Sequence, residues 1–264
     1  MDLARGAFLL GSSVAAGAIN SVAGGGTLLS FPAAMAAGLS PVVANASNAV
    51  ALMPGSLAAA WSYRHFLGDK MRLALVLAVP ATLGAVLGAV ILRLTKPSVF
   101  EVIVPWLILG ATLAILLRQL GARAATPAPE GHQDSLADVT RARRLPLVIF
   151  FQFLVGIYGG YFGGAMGIIM LAYLSLIGGS DIHQMNAIKN FLAGLVNGVA
   201  SVYFVARGMV DLRAAALMTV GAVVGGVVGA RIARRIHPRV VGWVVIAIGL
   251  SLAALFALRG FGKS

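Results

Sequence analysis

The sequence predicts an all-α polytopic membrane protein made of two pseudo-symmetric repeats, each of about five helical elements with broken or short helices at glycine clusters. Three observations carry that prediction. The 264 residues are 59% hydrophobic and only 11% charged, with a mean hydropathy of +0.94, far from the make-up of an ordinary soluble domain. Runs such as LALVLAVPATLGAVLGAVI (73–91) and VVGWVVIAIGLSLAALFAL (240–258) reach the ~20 apolar residues that cross a hydrocarbon core of about 30 Å. Finally, a shift of 141 positions lays Gly26–Pro97 on Gly167–Pro238 without a gap. It pairs Asn45 with Asn186, Arg72 with Arg213, Arg93 with Arg234 and Pro97 with Pro238, as well as several glycines. Biased composition can align glycines by chance but rarely brings Asn, Arg and Pro into the same register. Duplication of this kind is common among secondary transporters.

The chain then divides into a first transmembrane repeat (1–118), a cytoplasmic linker (119–145) and a second repeat (146–264). Each repeat opens with a helix, about 6–22 and 146–161. The first of these imitates a signal peptide, with Arg5, an apolar stretch from Ala7 and AAGA at 15–18. Its second-half partner, LPLVIFFQFLVGIYGG (145–160), makes it part of the fold. Glycine clusters follow, SVAGGGT (21–27) and YGGYFGGAMG (158–167), and then short apolar pieces at 28–39 and 168–179. At ~1.5 Å per residue these pieces are too short to span. Three long helices complete each half, near 42–64, 71–94 and 98–118, then 183–206, 212–233 and 239–258. The linker is polar and contains prolines and arginines, which put it on the cytoplasmic side. Parallel and inverted halves divide the Lys and Arg residues between the two faces almost equally well. Inverted halves are favoured because broken helices meeting at mid-membrane suit a two-sided transport site.

The net charge of +12 and pI near 11.3 do not form a basic stripe with interleaved aromatics, so nucleic acid is not an expected partner. The basic residues instead flank the apolar spans, where they orient the chain in the bilayer. Absence of cysteine removes disulfides, thiolate metal sites and a cysteine nucleophile. No cofactor or metal is expected, and nothing in the sequence sets an oligomeric state.

One stretch conflicts with a lipid-facing helix: QMNAIKNFLAGLVNG (184–198). At 100° per residue, Asn186, Lys189, Asn190 and Asn197 fall within about 100° of one another, with small Ala193 among them. Asn45, Asn48 and Ser56 repeat the stripe in the first half, at the positions matching Asn186, Lys189 and Asn197. Polar groups at bilayer depth are costly unless they face the protein interior or water, so two matching stripes point to one shared cavity. Taken singly, each Asn or Ser could serve only as an interhelical hydrogen bond worth roughly 0.6–2 kcal/mol, and Lys189 could snorkel to the interface. The glycine clusters supply a second kind of binding group. A backbone that breaks beside a short helix frees N–H groups, and a helix N-terminus carries about half a positive charge. Gly25, Gly26 and Thr27 in one half, and Gly163 and Gly164 in the other, are therefore candidates for backbone contacts to an anion. The glycines at 84, 88, 221, 225 and 229 read instead as close helix packing. All eight acidic residues lie in the linker, in loops or at helix ends. A small anionic substrate is the expected source of negative charge near Lys189, and the lipid bilayer the other expected partner.

These residues bring a family into view. NSVAGGGTLLSFPAAMAAGLSPVVANASNAVALMPGSLAAAWSYR (20–64) and its echo GGYFGGAMG…NAIKNFLAGLVNGVASVYF (159–204) resemble the sulfite exporter TauE/SafE family, over nearly the whole chain outside the linker. The positions at 45, 48, 186 and 190 match its pattern. The resemblance implies a multi-pass transporter, often an exporter, for sulfite, sulfoacetate or related sulfur-containing anions in the plasma membrane (the bacterial inner membrane). A passive anion channel could use the same cavity; channel flux does not saturate at low substrate, whereas carrier flux does. An intramembrane enzyme has little to support it. There is no HExxH and no Asp within a span, and His65, His132, His183 and His237 lie at helix ends or in the linker. A cation carrier would want carboxylate or His clusters in the membrane, which are missing.

Overall fold

The structure is a computed structural model that describes residues 2–22, 25–124, 145–177, 181–232, 243 and 246–251. The described residues form helices α1 (Leu3–Val22), α2 (Thr27–Ala36), α3 (Pro41–Ser62), α4 (Met71–Leu94) and α5 (Pro97–Ala124) in the first half. The second half contains α6 (Leu145–Tyr161), α7 (Met166–Leu176), α8 (Ile182–Ala206) and α9 (Leu212–Ile232). A further helical segment covers 246–251, so the last expected helix (239–258) lies largely outside the described residues. Among the described residues, four helices are long and apolar enough to cross a membrane: α3, α4, residues 97–117 of α5, and α8.

Local chemistry sets most of the boundaries. Proline occupies the first position of α3 and of α5, where its missing N–H costs nothing and its fixed φ suits a helix. Asp181 and Asp211 open α8 and α9 by accepting from His183 N (2.7 Å) and Ala214 N (2.9 Å), the usual N-cap arrangement. At the end of α8, Gly208 takes φ +66° and Met209 N donates to Phe204 O at 3.0 Å, a Schellman stop. One boundary differs from expectation: α5 continues past residue 118 to Ala124. The extension, QLGARA, consists mostly of good helix formers, so the helix outlasts its apolar face.

Glycines hold the bundle together. A Cβ on Gly84 or Gly88 would fall on the backbone of Phe153 or Ile157 in α6, and one on Gly156 or Gly160 on the backbone of α4 at Ala81 or Ala85. Gly17, Gly221 and Gly225 bring α1 and α9 together in the same manner, the small-residue packing expected between helices in lipid. Ala81 meets Gly156 where Ala85 meets Gly160, so α4 and α6 run parallel. By the same reasoning α1 and α9 run parallel, with Gly221 against Leu10 and Gly225 against Val14.

The central pair behaves differently. A Cβ on Gly194 would touch Leu57, and one on Gly198 would lie 3.8 Å from Met53 Cγ, so α3 and α8 run antiparallel. Two contacts at opposite ends agree: Asp211 N donates to Ser47 Oγ at 3.0 Å, and His183 stacks on Phe66 with ring centroids 5.0 Å apart.

The short helices fold back along their predecessors. Gly26 lies against Ala16 and Asn20 of α1, while Gly38, beyond the end of α2, lies beside Arg5. In the second half, the Tyr173 hydroxyl of α7 donates to Gln152 Oε1 of α6. Each short helix thus returns toward the face from which the helix before it started.

Candidate functional site

Asn45 lies one turn into α3, and Nδ2 donates to Tyr161 O at 2.9 Å. That carbonyl ends α6, so a side chain of the first half satisfies an orphan group at the helix break of the second. The break itself is strained. Gly163 has φ +74°, and Ala165 has φ 57° and ψ 14°, the only non-glycine with positive φ among the described residues. An L-residue in that region costs roughly 1–2 kcal/mol, and such strain gathers at functional sites. Helix α7 begins directly after Ala165 with no side-chain cap. The bend is braced by Tyr158, whose hydroxyl donates to Gly164 O at 2.5 Å. Phe31 of α2 meets Phe162 edge to face at 5.4 Å, so the second-half break also touches the first-half short helix.

On α8, the stripe residues are buried. Lys189 is 1% exposed, Asn190 4%, and Asn186 7%; Asn197 is half-buried, with Oδ1 3.9 Å from where a Gly163 Cβ would stand. Lys189 is among the largest fully buried side chains of the protein, so it lies inside the bundle and does not snorkel along its surface. Asn186 Oδ1, Asn190 Nδ2 and Asn45 Oδ1 are buried and have no hydrogen-bond partner among the described residues. Leaving such groups unpaired costs about 1–3 kcal/mol each, which makes them suited to a polar visitor.

On α3, Asn48 and Ser56 are 2% and 3% exposed. The Ser30 hydroxyl lies 3.0 Å from Gly26 O and 2.5 Å from the Asn48 amide. Its one proton serves one acceptor at a time, Gly26 O or Asn48 Oδ1. Of the backbone candidates, Gly25, Gly26 and Thr27 are buried where α2 begins. Gly26 closes on α1, and the missing side chain of Gly164 is replaced by the Phe162 ring. Both glycines therefore make close packing contacts at the breaks.

The antiparallel register sets the relative heights of the two stripes. With residue 53 opposite 198 and 57 opposite 194, Asn45 stands level with residue 206, and Ser56 almost level with Asn197. By height along the bundle the two stripes run end to end, with Ser56 and Asn197 at their adjoining ends. From Asn45 to Asn186 is about 20 residues along the axis, or ~30 Å, the thickness of a hydrocarbon core. The stripe residues thus extend along the bundle over that depth. By contrast, a groove of about 420 Å³ between α4 and α6 is lined by apolar side chains such as Val79, Leu83 and Phe150 and offers nothing to an anion.

Two polar residues in this region escape a reading of the stripes alone, Gln152 and Tyr173. Gln152 is the only amide in the apolar run 145–160, and that isolation is the one signal the sequence gives.

The sulfite exporter TauE/SafE family matches residues 9–256. A probable membrane transporter protein, ORF9, of Sinorhizobium sp is 27% identical over 250 residues, covering 94% of this chain and 90% of the relative. The probable membrane transporter protein YfcA of Escherichia coli K12 is 30% identical over 215 residues, 78% of this chain and 72% of the relative. A probable membrane transporter protein of Haemophilus influenzae is 29% identical over 164 residues, 61% and 58% respectively. No solved structure matches.

Proposed function

The chain belongs to the sulfite exporter TauE/SafE family, and from that premise we propose that this membrane transporter carries small sulfur-containing anions, such as sulfite or sulfoacetate, out of the cell across the bacterial inner membrane. The observation that carries the reading is the polar line of α3 and α8. A buried ammonium and five buried or half-buried amides lie within the thickness of a bilayer. Asn45 Nδ2 serves the α6 carbonyl, and Asn190 Nδ2 remains as a buried donor for a substrate oxyanion. Desolvated donors bind an anion more strongly than the same groups in water, and Lys189 adds a charge that favours anions over neutral solutes.

The arrangement also supports alternating access. The helices that bear the stripes are antiparallel, and each half has a short helix that folds back from a break. An inverted relation between the halves accounts for both features, and rocking one half against the other around Ser56 and Asn197 would open the line to either face in turn. The linker, joining α5 to α6, then lies on the same face as the α3–α4 turn at 63–70.

The test is a thermal-shift screen of the purified protein against sulfite, sulfate, thiosulfate, sulfoacetate, taurine and lactate. A ligand of the folded state stabilises by RT ln(1 + [L]/Kd), about 2.7 kcal/mol at a hundredfold excess over Kd. The reading expects sulfite or sulfoacetate to give the largest shift, and a counterflow assay in proteoliposomes to saturate with the same anion. Equal shifts for taurine, lactate and sulfite would contradict it.

A further inference from the structure

We propose that Gln152 and Tyr173 form an additional oxyanion-binding position, between the break at Gly163 and the linker face, beside the buried stretch of α8 that holds Lys189. This deepens the transport reading and rests on it.

The pair is buried deep in the protein, with Gln152 0% and Tyr173 8% exposed. Tyr173 donates its hydroxyl to Gln152 Oε1, and Nε2 of the same amide has no hydrogen-bond partner among the described residues. The amide is held by the tyrosine at Oε1, and its two-proton donor end is left surrounded by hydrocarbon. Val155, Met170, Tyr173 and Leu174 pack into one core with Met185, Ile188 and Leu192 of α8. The depth also agrees. A Cβ on Gly159 of α6 would fall on Val196 Cγ1 of α8, and Gln152 and Lys189 each lie seven positions before those residues, or about 10 Å. The two helices run in the same direction, because α6 lies parallel to α4, which turns back after α3, and α3 is antiparallel to α8. Gln152, Tyr173 and Lys189 thus occupy one layer between α6, α7 and α8.

A rigid N–H donor with its acceptor end already occupied is suited to an anion and unsuited to a cation. A structural role alone would favour a different residue, since a fully buried amide with one end unpaired is worse for stability than an apolar side chain of similar size. The position would therefore hold the substrate one step from the central residues Ser56 and Asn197, on its way to or from the linker face.

The experiment is titration of the purified protein with sulfite and with sulfoacetate, read by thermal shift, for wild type, Gln152→Leu/Tyr173→Phe and Gln152→Glu. The double variant removes the pair without leaving a polar orphan, so its melting temperature without anion should be equal or higher while affinity falls about tenfold. Gln152→Glu preserves an acceptor for Tyr173 but puts an oxygen where the NH₂ stood, and should lose at least as much affinity. If the double variant melts lower and binds as wild type does, the pair is structural and the inference is overturned. If it fails to fold, unchanged affinity in Gln152→Glu overturns it equally. Failure of wild type itself to respond to any anion would refute the transport reading instead.

Discussion

Asn45→Ala removes a side chain that serves the end of α6. Nδ2 of Asn45 donates to Tyr161 O at 2.9 Å, so the substitution leaves a carbonyl at the helix break with no donor. A carbonyl deprived of its partner costs about 1–3 kcal/mol, and the upper part of that range applies only in full burial. Tyr161 is partly exposed, and Asn45 Oδ1 has no partner to lose, so the net loss should be about 1–2 kcal/mol. For a chain of this size 1 kcal/mol moves the melting temperature by roughly 2–4 °C, giving a fall of about 2–8 °C. Differential scanning fluorimetry of the detergent-solubilised protein reads it directly. Asn45→Asp should be worse, since an ionised carboxylate cannot donate and faces the carbonyl with its own oxygens. If both variants melt within a degree of wild type, Asn45 does not hold the break and the link between the halves at Tyr161 is refuted.

Other expectations follow from named contacts. Gly88→Val meets the α6 backbone at Ile157 and should prevent stable folding, whereas Gly110→Ala, with nothing near its Cβ, should be tolerated; expression and melting of the two variants check this. Ala165→Gly removes the positive-φ penalty and should raise stability by up to about 1 kcal/mol, visible as a higher melting temperature; a lower one would mean that the Ala165 methyl packs usefully. Because the chain has no native cysteine, the pairs Met53→Cys/Gly198→Cys and Leu57→Cys/Gly194→Cys should each cross-link under mild oxidation. Cross-linking of 53 with 194 and 57 with 198 instead would show that α3 and α8 run parallel.

Much of the fold is legible in the sequence because membrane helices announce themselves by length and hydropathy. The expected span 71–94 coincides with α4, and the other expected helices within the described residues fall within a few residues, except where α5 runs on through QLGARA; 239–258 lies largely outside them. The glycines at 84, 88, 221 and 225 read as packing positions and are found on the parallel pairs α4–α6 and α1–α9. Helical periodicity also identifies which residues of α3 and α8 share a face. It says nothing of how two helices lie against each other. The antiparallel register depends on tertiary contacts such as Leu57 with Gly194, so the end-to-end course of the two stripes was hidden. The return of α2 and α7 along α1 and α6 was hidden for the same reason. Gln152 and Tyr173 lie 21 residues apart on either side of a turn, and no local pattern connects them.

Lys189 carries the central claim, that a buried positive charge on the α8 stripe holds the anion. The decisive measurement is the affinity of Lys189→Met for sulfite and sulfoacetate, with Lys189→Arg beside it. Methionine retains most of the apolar stem and removes the ammonium; a charged hydrogen bond is worth roughly 1.5–3 kcal/mol, so affinity should fall by about tenfold or more in a protein that still folds. Arginine keeps the charge but replaces a point donor by a planar fork, and should lose less. Wild-type affinity in a folded Lys189→Met protein would contradict the account.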